Sequence, residues 1–195
     1  MVAVVAEQGF AATTVAEVVR RAKVSRTSFY AQFADREACF VAAIAAGRRL
    51  LVDAVSTAVQ DQPVSASDVD LLRAGLRAYL AFLRDEPAFA TAFYLELPSV
   101  GRQGGERLAE ARSKLTARTA VWHSRARTRH PDWPQVPAEV YRALTAATEE
   151  LVSARVRAGE ADRLPELEDV VVALHLRLLT EGAWVKPLPL PPASG

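Results

Sequence analysis

The chain has 195 residues, half of them apolar, with 24 Lys/Arg against 23 Asp/Glu and a single cysteine. That length and apolar content support one or two domains with a packed core and exclude a disordered chain, while the lone Cys39 excludes an internal disulfide framework and fits a reducing cytoplasm. No run of about 20 apolar residues occurs, so neither a transmembrane helix nor a membrane partner is expected, and the opening MVAVVAEQGF lacks the length and basic start of a signal peptide.

Helical spacing of apolar residues dominates, no strand-type alternation bounded by turn residues appears, and the chain reads as all-α with about nine helices. The first is short, from Met1 to about Gln8, and Gly9 stops it. Thr14-Val15-Ala16-Glu17 has the form of a capping box and opens the second helix, with Val15, Val18, Val19 and Ala22 inward and Arg20 and Arg21 at its end. Ala22-Lys23-Val24 is a turn. Ser25 caps a third helix whose inner face is Phe29 and Phe33, with Val24 helping to fix its back. Asp35 caps a fourth, running to about Val59, long enough to leave one domain and enter another.

Ser67 caps a fifth helix, to about Arg84. The sixth, from Pro87 to about Leu97, is rich in aromatics, and a glycine-containing loop from Pro98 to Gly105 follows. A seventh helix is expected from about Glu106 to Arg129, an eighth from Pro137 to about Ala158, and a ninth from Leu167 to about Trp184. The last two carry apolar stripes, Val140, Leu144 and Leu151 on one and Leu167, Val171, Leu174 and Leu178 on the other. Val172, Leu176 and Leu179 form a neighbouring stripe. A helix apolar on more than one side needs two partners, so these stripes are the candidate homodimer surface. The organisation expected is a head over residues 1–46, a helical body over 47–185 and a proline-rich tail over 186–195.

Residues 1–49 hold seven Lys/Arg against four Asp/Glu, so a basic head sits on a slightly acidic body. Two capped helices joined by a short turn form a helix-turn-helix unit. Reading DNA requires the second helix to be fixed from behind and to present short polar or basic side chains outward. Arg26, Thr27, Ser28, Tyr30 and Gln32 meet that need, with Ser25 and Thr14 at the caps, Lys23 in the turn, and Arg36 beside the next cap as a phosphate partner. In the body, Tyr79, Phe82, Phe89, Phe93, Tyr94 and Trp122 are candidates to line an apolar ligand pocket between helices. No Cys/His cluster, HExxH, G-x-S-x-G, phosphate loop or dinucleotide fingerprint is present, so no metal, cofactor or enzymatic activity is expected.

Gly9-Phe10, Thr14-Val15, Ala22, Val24-Ser25, Phe29-Tyr30, Phe33 and Asp35-Arg36-Glu37 resemble, in order and spacing, the DNA-binding segment of the TetR family of transcriptional regulators. The resemblance implies a dimer that binds a palindromic double-stranded operator, usually as a repressor, with a C-terminal half that binds a ligand and dimerises. Thr14, Arg26, Thr27, Tyr30 and Arg36 fall where that family contacts DNA. An effector would then tilt the long fourth helix and change the spacing of the two heads. Three departures stand out. Lys23 replaces a usual glycine, Ala31 replaces a frequent aromatic, and the first helix is usually longer, with a basic arm ahead of it. The short first helix leaves one alternative, a helical small-molecule-binding or scaffold protein with an impaired head.

Overall fold

Side-chain caps set the start of four helices in the computed structural model, which describes residues 1–181. Nine α-helices occur among the described residues: α1 Val2–Gln8, α2 Val15–Ala22, α3 Arg26–Gln32, α4 Arg36–Gln60, α5 Asp68–Asp85, α6 Pro87–Thr91, α7 Gly101–Ala126, α8 Ala138–Arg157 and α9 Glu168–Thr180. The expected tail and the last turn before Trp184 lie outside the described residues. None of the described helices is long and apolar enough to cross a membrane.

Three apolar clusters hold these elements. A small one beneath α3 joins Val18, Val19, Phe29 and Cys39. The largest joins Leu80 and Leu83 of α5, Phe89 of α6, Val152 of α8 and Val171 of α9, and it also takes in Val5 of α1 with Phe40 and Ile44 of α4. A third gathers Val136, Val140, Leu144 and Leu179 against Trp122 and Tyr141. Each fully buried Leu or Phe contributes about 1.5–3 kcal/mol. Placing α1 and the first turns of α4 in the largest cluster therefore locks the N-terminal helices onto the body. Seven residues suffice for α1 because it is clamped on several sides: Val4 and Val5 are buried, Glu7 pairs with Arg21 at 2.7 Å, and the helix packs on α6. Gly9 ends it with φ 81°, a conformation that favours glycine.

The region after α6 differs from the sequence expectation. The sixth α-helix stops at Thr91. Residues Ala92–Glu96 form a π-helical turn, with the Leu97 amide donating to the Ala92 carbonyl, and Leu97–Ser99 tighten into a 3-10 turn. Pro98 explains the break, because it has no amide to give the Tyr94 carbonyl and its ring would clash there. The expected Pro98–Gly105 loop is instead mostly the start of α7. Gly104 belongs in that helix because a Cβ at this position would collide with the Leu97 carbonyl oxygen. A second 3-10 segment, Ala161–Leu167, precedes α9.

Candidate nucleic-acid interface and effector groove

The cap of α2 is a closed capping box. Thr14 Oγ1 accepts the Glu17 amide at 3.3 Å, and the Glu17 carboxylate accepts the Thr14 amide at 3.0 Å and its hydroxyl at 2.9 Å. Gln8 Nε2 adds a bond to the same carboxylate at 3.0 Å, and with Thr14 it holds the Glu17 carboxyl below its usual range. At the other end of α2, Lys23 adopts φ 55° and ψ 39°, and its amide returns to the Arg20 carbonyl at 3.3 Å. That left-handed residue turns the chain into α3, and it is the position at which the family resemblance expects glycine.

Ser25 Oγ accepts the Ser28 amide at 3.0 Å and starts α3. Of the seven residues in this helix, only Phe29 is buried. Its ring meets Phe33 at 5.5 Å and stands edge-on to Tyr30 at 5.3 Å, so Tyr30 is held upright although it is 57% exposed. Arg26, Thr27, Ser28 and Gln32 are also exposed, as are Thr14, Lys23 and Ser25. Neither Lys23 nor Arg26 forms an ion pair among the described residues. The result is one outward face with two free cations, several hydroxyls and an amide, mounted on a buried phenylalanine.

Two expectations for this head change. Val24 is 47% exposed and does not fix the back of α3, which rests on Phe29 and the half-buried Phe33. Arg36 is not a free cation beside the cap. Its Nη1 donates to the carbonyls of Phe10 at 3.0 Å, Ala11 at 3.1 Å and Thr13 at 2.5 Å, and its guanidinium lies 4.6 Å from the centre of the Phe10 ring. It braces the α1–α2 loop from inside. Sequence spacing has no signal for this, because the three acceptors are backbone oxygens about 25 residues away in the chain.

The body contains a groove of about 1070 Å³ between α7 and α8. Its walls carry small residues such as Ala109, Ala117 and Ala146, with Leu108, Tyr94 and Pro98 at one end and Arg142 and Tyr141 toward the other. Thr116 and Thr145 bridge the two helices by a hydroxyl–hydroxyl bond of 2.8 Å. Glu149 is buried in the wall, and Arg112 Nε donates to it at 2.5 Å while most of the Arg112 side chain stays exposed. Burial pushes the Glu149 carboxyl upward, and Arg112 pulls it partly back. Beside it the hydroxyls of Tyr79 and Tyr94 bond to each other, and burial raises both phenols.

Of the six aromatics expected to line a pocket, five, Tyr79, Phe82, Phe89, Phe93 and Trp122, do not line this groove. Tyr79, Phe89 and Phe93 are buried core, and Phe82 packs edge-on to Phe89 at 5.8 Å. Trp122 sits in the third cluster, where Nε1 donates to the Asp68 carbonyl at 3.1 Å. Tyr94, from the same aromatic run, is the one that reaches the groove. The walls escaped sequence reading because they are alanine, threonine and serine, residues that look like an ordinary solvated helix face.

The candidate dimer stripe divides in the same way. Val140, Leu144, Leu167 and Val171 are consumed by the protomer core, and they leave no apolar area for a partner. Leu151, Leu174 and Leu178 stay half-buried, and Val170 on α9 is 55% exposed. The surface open to a second copy is therefore narrower than the stripes and is displaced toward Val170.

Residues 2–43 match the family model described as bacterial regulatory proteins, tetR family. No curated protein matches the chain by sequence. Similar solved structures include the fatty acid degradation regulator FadR of Bacillus halodurans, with a TM-score of 0.79 at 16% identity over 90% of this chain and 93% of that one. The FadR regulator of Bacillus subtilis, solved in complex with stearoyl-CoA, gives 0.76 at 16% identity over 89% and 92%. A tetR-family regulatory protein from Rhodococcus RHA1 gives 0.69 at 21% identity over 92% of each chain. At these identities the likeness of the whole chains is one of fold.

Proposed function

We propose, from the match of residues 2–43 to the family model of bacterial regulatory proteins of the tetR family, that this chain is a ligand-responsive transcriptional regulator of that family. It binds a palindromic operator as a homodimer and acts as a repressor. The observation that carries the reading is the outward face of α3, where Arg26, Thr27, Ser28, Tyr30 and Gln32 are all exposed around a single buried anchor, Phe29. Two such heads reach successive major grooves when they are about 34 Å apart, or a multiple of that distance. Arg26 and Lys23 supply phosphate or base contacts, and Thr14 and Ser25 keep their capping roles while lying at the same surface.

The effector site in this reading is the α7–α8 groove, and the effector is an amphiphile with an apolar chain and an anionic head. Small apolar side chains along the walls suit the chain, and the exposed guanidinium of Arg112 suits the head. The stearoyl-CoA bound to the similarly folded Bacillus subtilis protein supports that class.

The test is a gel shift against DNA upstream of the chain's own and adjacent genes, with and without stearoyl-CoA. Wild type retards the fragment in a salt-sensitive manner, and stearoyl-CoA weakens the retardation. Arg26→Ala with Tyr30→Ala abolishes it while leaving the dimer and the helical content intact. Retardation by the double variant equal to wild type would show that α3 is not the reading helix.

A further inference from the structure

We propose that Glu96 is the positioning residue that ties occupancy of the α7–α8 groove to the placement of the DNA-binding head, an inference that rests on the regulator reading above. Glu96 closes the π-helical turn between Tyr94 and Pro98, both of which line the groove. Its carboxylate points the other way. Oε2 accepts the Phe10 amide at 2.7 Å, and the Gly9 backbone lies against the same group, where even an added Cβ would be 3.5 Å from Oε2.

The segment it holds is the short loop between α1 and α2. From the head side, Arg36 takes the carbonyls of Phe10, Ala11 and Thr13. Thr13 Oγ1 closes the loop on itself by donating to the Gly9 carbonyl at 2.8 Å. The backbone that leads into the Thr14 cap is thus suspended between one residue of the body, Glu96, and one of the head, Arg36. The body's side of this link, Glu96, reaches the loop without passing along the long helix α4, whose first residue is Arg36. It enters directly at the start of the helix-turn-helix.

The element that carries Glu96 departs from regular α-helix geometry. The backbone widens to a π turn, with Leu97 donating to Ala92, and then tightens to a 3-10 turn, with Val100 donating to Leu97 at 3.1 Å. Such turns have poorer hydrogen bonds than an α-helix and recur at functional sites. An occupant that presses on Tyr94 and Pro98 shifts this turn. A displacement of about 1 Å takes a 2.7 Å hydrogen bond past the distance at which it counts as one. The groove and the head are then coupled because an occupant binds the two arrangements differently.

Residue-resolved amide exchange on the full chain tests this without an identified ligand. Ala109 is exposed on the groove wall, one turn from Arg112, so Ala109→Trp places an indole where an effector would lie. Glu96→Ala is expected to speed exchange of the Phe10 amide about tenfold to a hundredfold, the range for losing a hydrogen bond to a charged acceptor. Glu96→Gln, which keeps an acceptor, recovers most of that protection. Ala109→Trp speeds the same amide while amides in α5 stay protected, and adding it to Glu96→Ala produces no further increase. Unchanged Phe10 exchange in Glu96→Ala or in Ala109→Trp, or rates that multiply in the double variant, would overturn the proposal. Failure of the wild-type gel shift would instead sink the regulator reading and leave the exchange result standing.

Discussion

Replacing Arg36 with alanine separates two physical roles that the same side chain could fill. As a loop brace, its Nη1 holds three carbonyls and its guanidinium caps the Phe10 ring, itself tilted against Phe40 at 5.1 Å. One nitrogen carries only two protons, so these contacts amount to one or two charge-assisted hydrogen bonds plus a cation–π contact. A partly exposed set of that kind contributes about 2–3 kcal/mol. With an m-value of about 2–3 kcal/mol/M, Arg36→Ala moves the urea midpoint down by about 1 M. Wild type and variant must be unfolded at equal protein concentration, because dimerisation shifts apparent stability. As a phosphate contact, the same change would leave the midpoint in place and reduce the slope of log affinity against log salt by about 1 per head. Arg36→Ala therefore loses stability with an unchanged salt slope, whereas Arg26→Ala does the reverse. A variant with wild-type urea unfolding and a reduced slope would refute the brace.

Lys23→Gly removes the only non-glycine residue with positive φ among those described, and it stabilises the protein by about 0.5–1 kcal/mol once the greater freedom of glycine in the unfolded chain is subtracted. A fall in thermal midpoint would show that Lys23 makes a stabilising contact. Arg112→Met leaves the buried Glu149 carboxylate unpaired and costs about 2–3 kcal/mol at pH 7. The Glu149 carboxyl already titrates above its unfolded value of 4.5, so the folded state binds more protons than the unfolded state above that pH. Its contribution to stability is thus full below pH 4.5 and declines as pH rises through the folded value. Denaturant titrations of Arg112→Met should show the deficit shrinking toward pH 4.5, and a deficit independent of pH would assign the loss to packing of the arginine stem.

Local signals were legible where a side chain closes a bond with its own neighbours. Thr14, Ser25, Asp35 and Ser67 each cap the helix that their spacing predicts, and Cys39 lies buried in the apolar run that contains it. The nine helices of the described residues and the exposed face of α3 follow from the same short-range patterns. What escaped depends on contacts distant in sequence. Gly104 reads as a loop residue until the Leu97 carbonyl is placed against it, and Pro98 ends a helix without announcing the π turn before it. The apolar stripes of α8 and α9 were visible, but periodicity cannot divide them between the protomer's own core, which takes Val140, Leu144, Leu167 and Val171, and a surface left open.

The aromatic run from Phe89 to Tyr94 shows how this division bears on function. Its rings pack in sequence, Phe89 on Phe93 at 5.7 Å and Phe93 edge-on to Tyr94 at 4.9 Å, so the run is a single packed column rather than the lining of a cavity. One end of that column lies in the main core with Leu80 and Leu83, and the other end, Tyr94, opens onto the groove. A rigid aromatic column transmits displacement better than it yields space for a ligand, because close-packed rings have no free volume in which to relax. The aromatics that looked like a binding pocket are therefore better placed to connect the groove mechanically to α1 and α4, which pack on the same cluster. Any compliance lies in the backbone of the π turn, which carries Phe93 and Tyr94 themselves, and of the 3-10 turn after it.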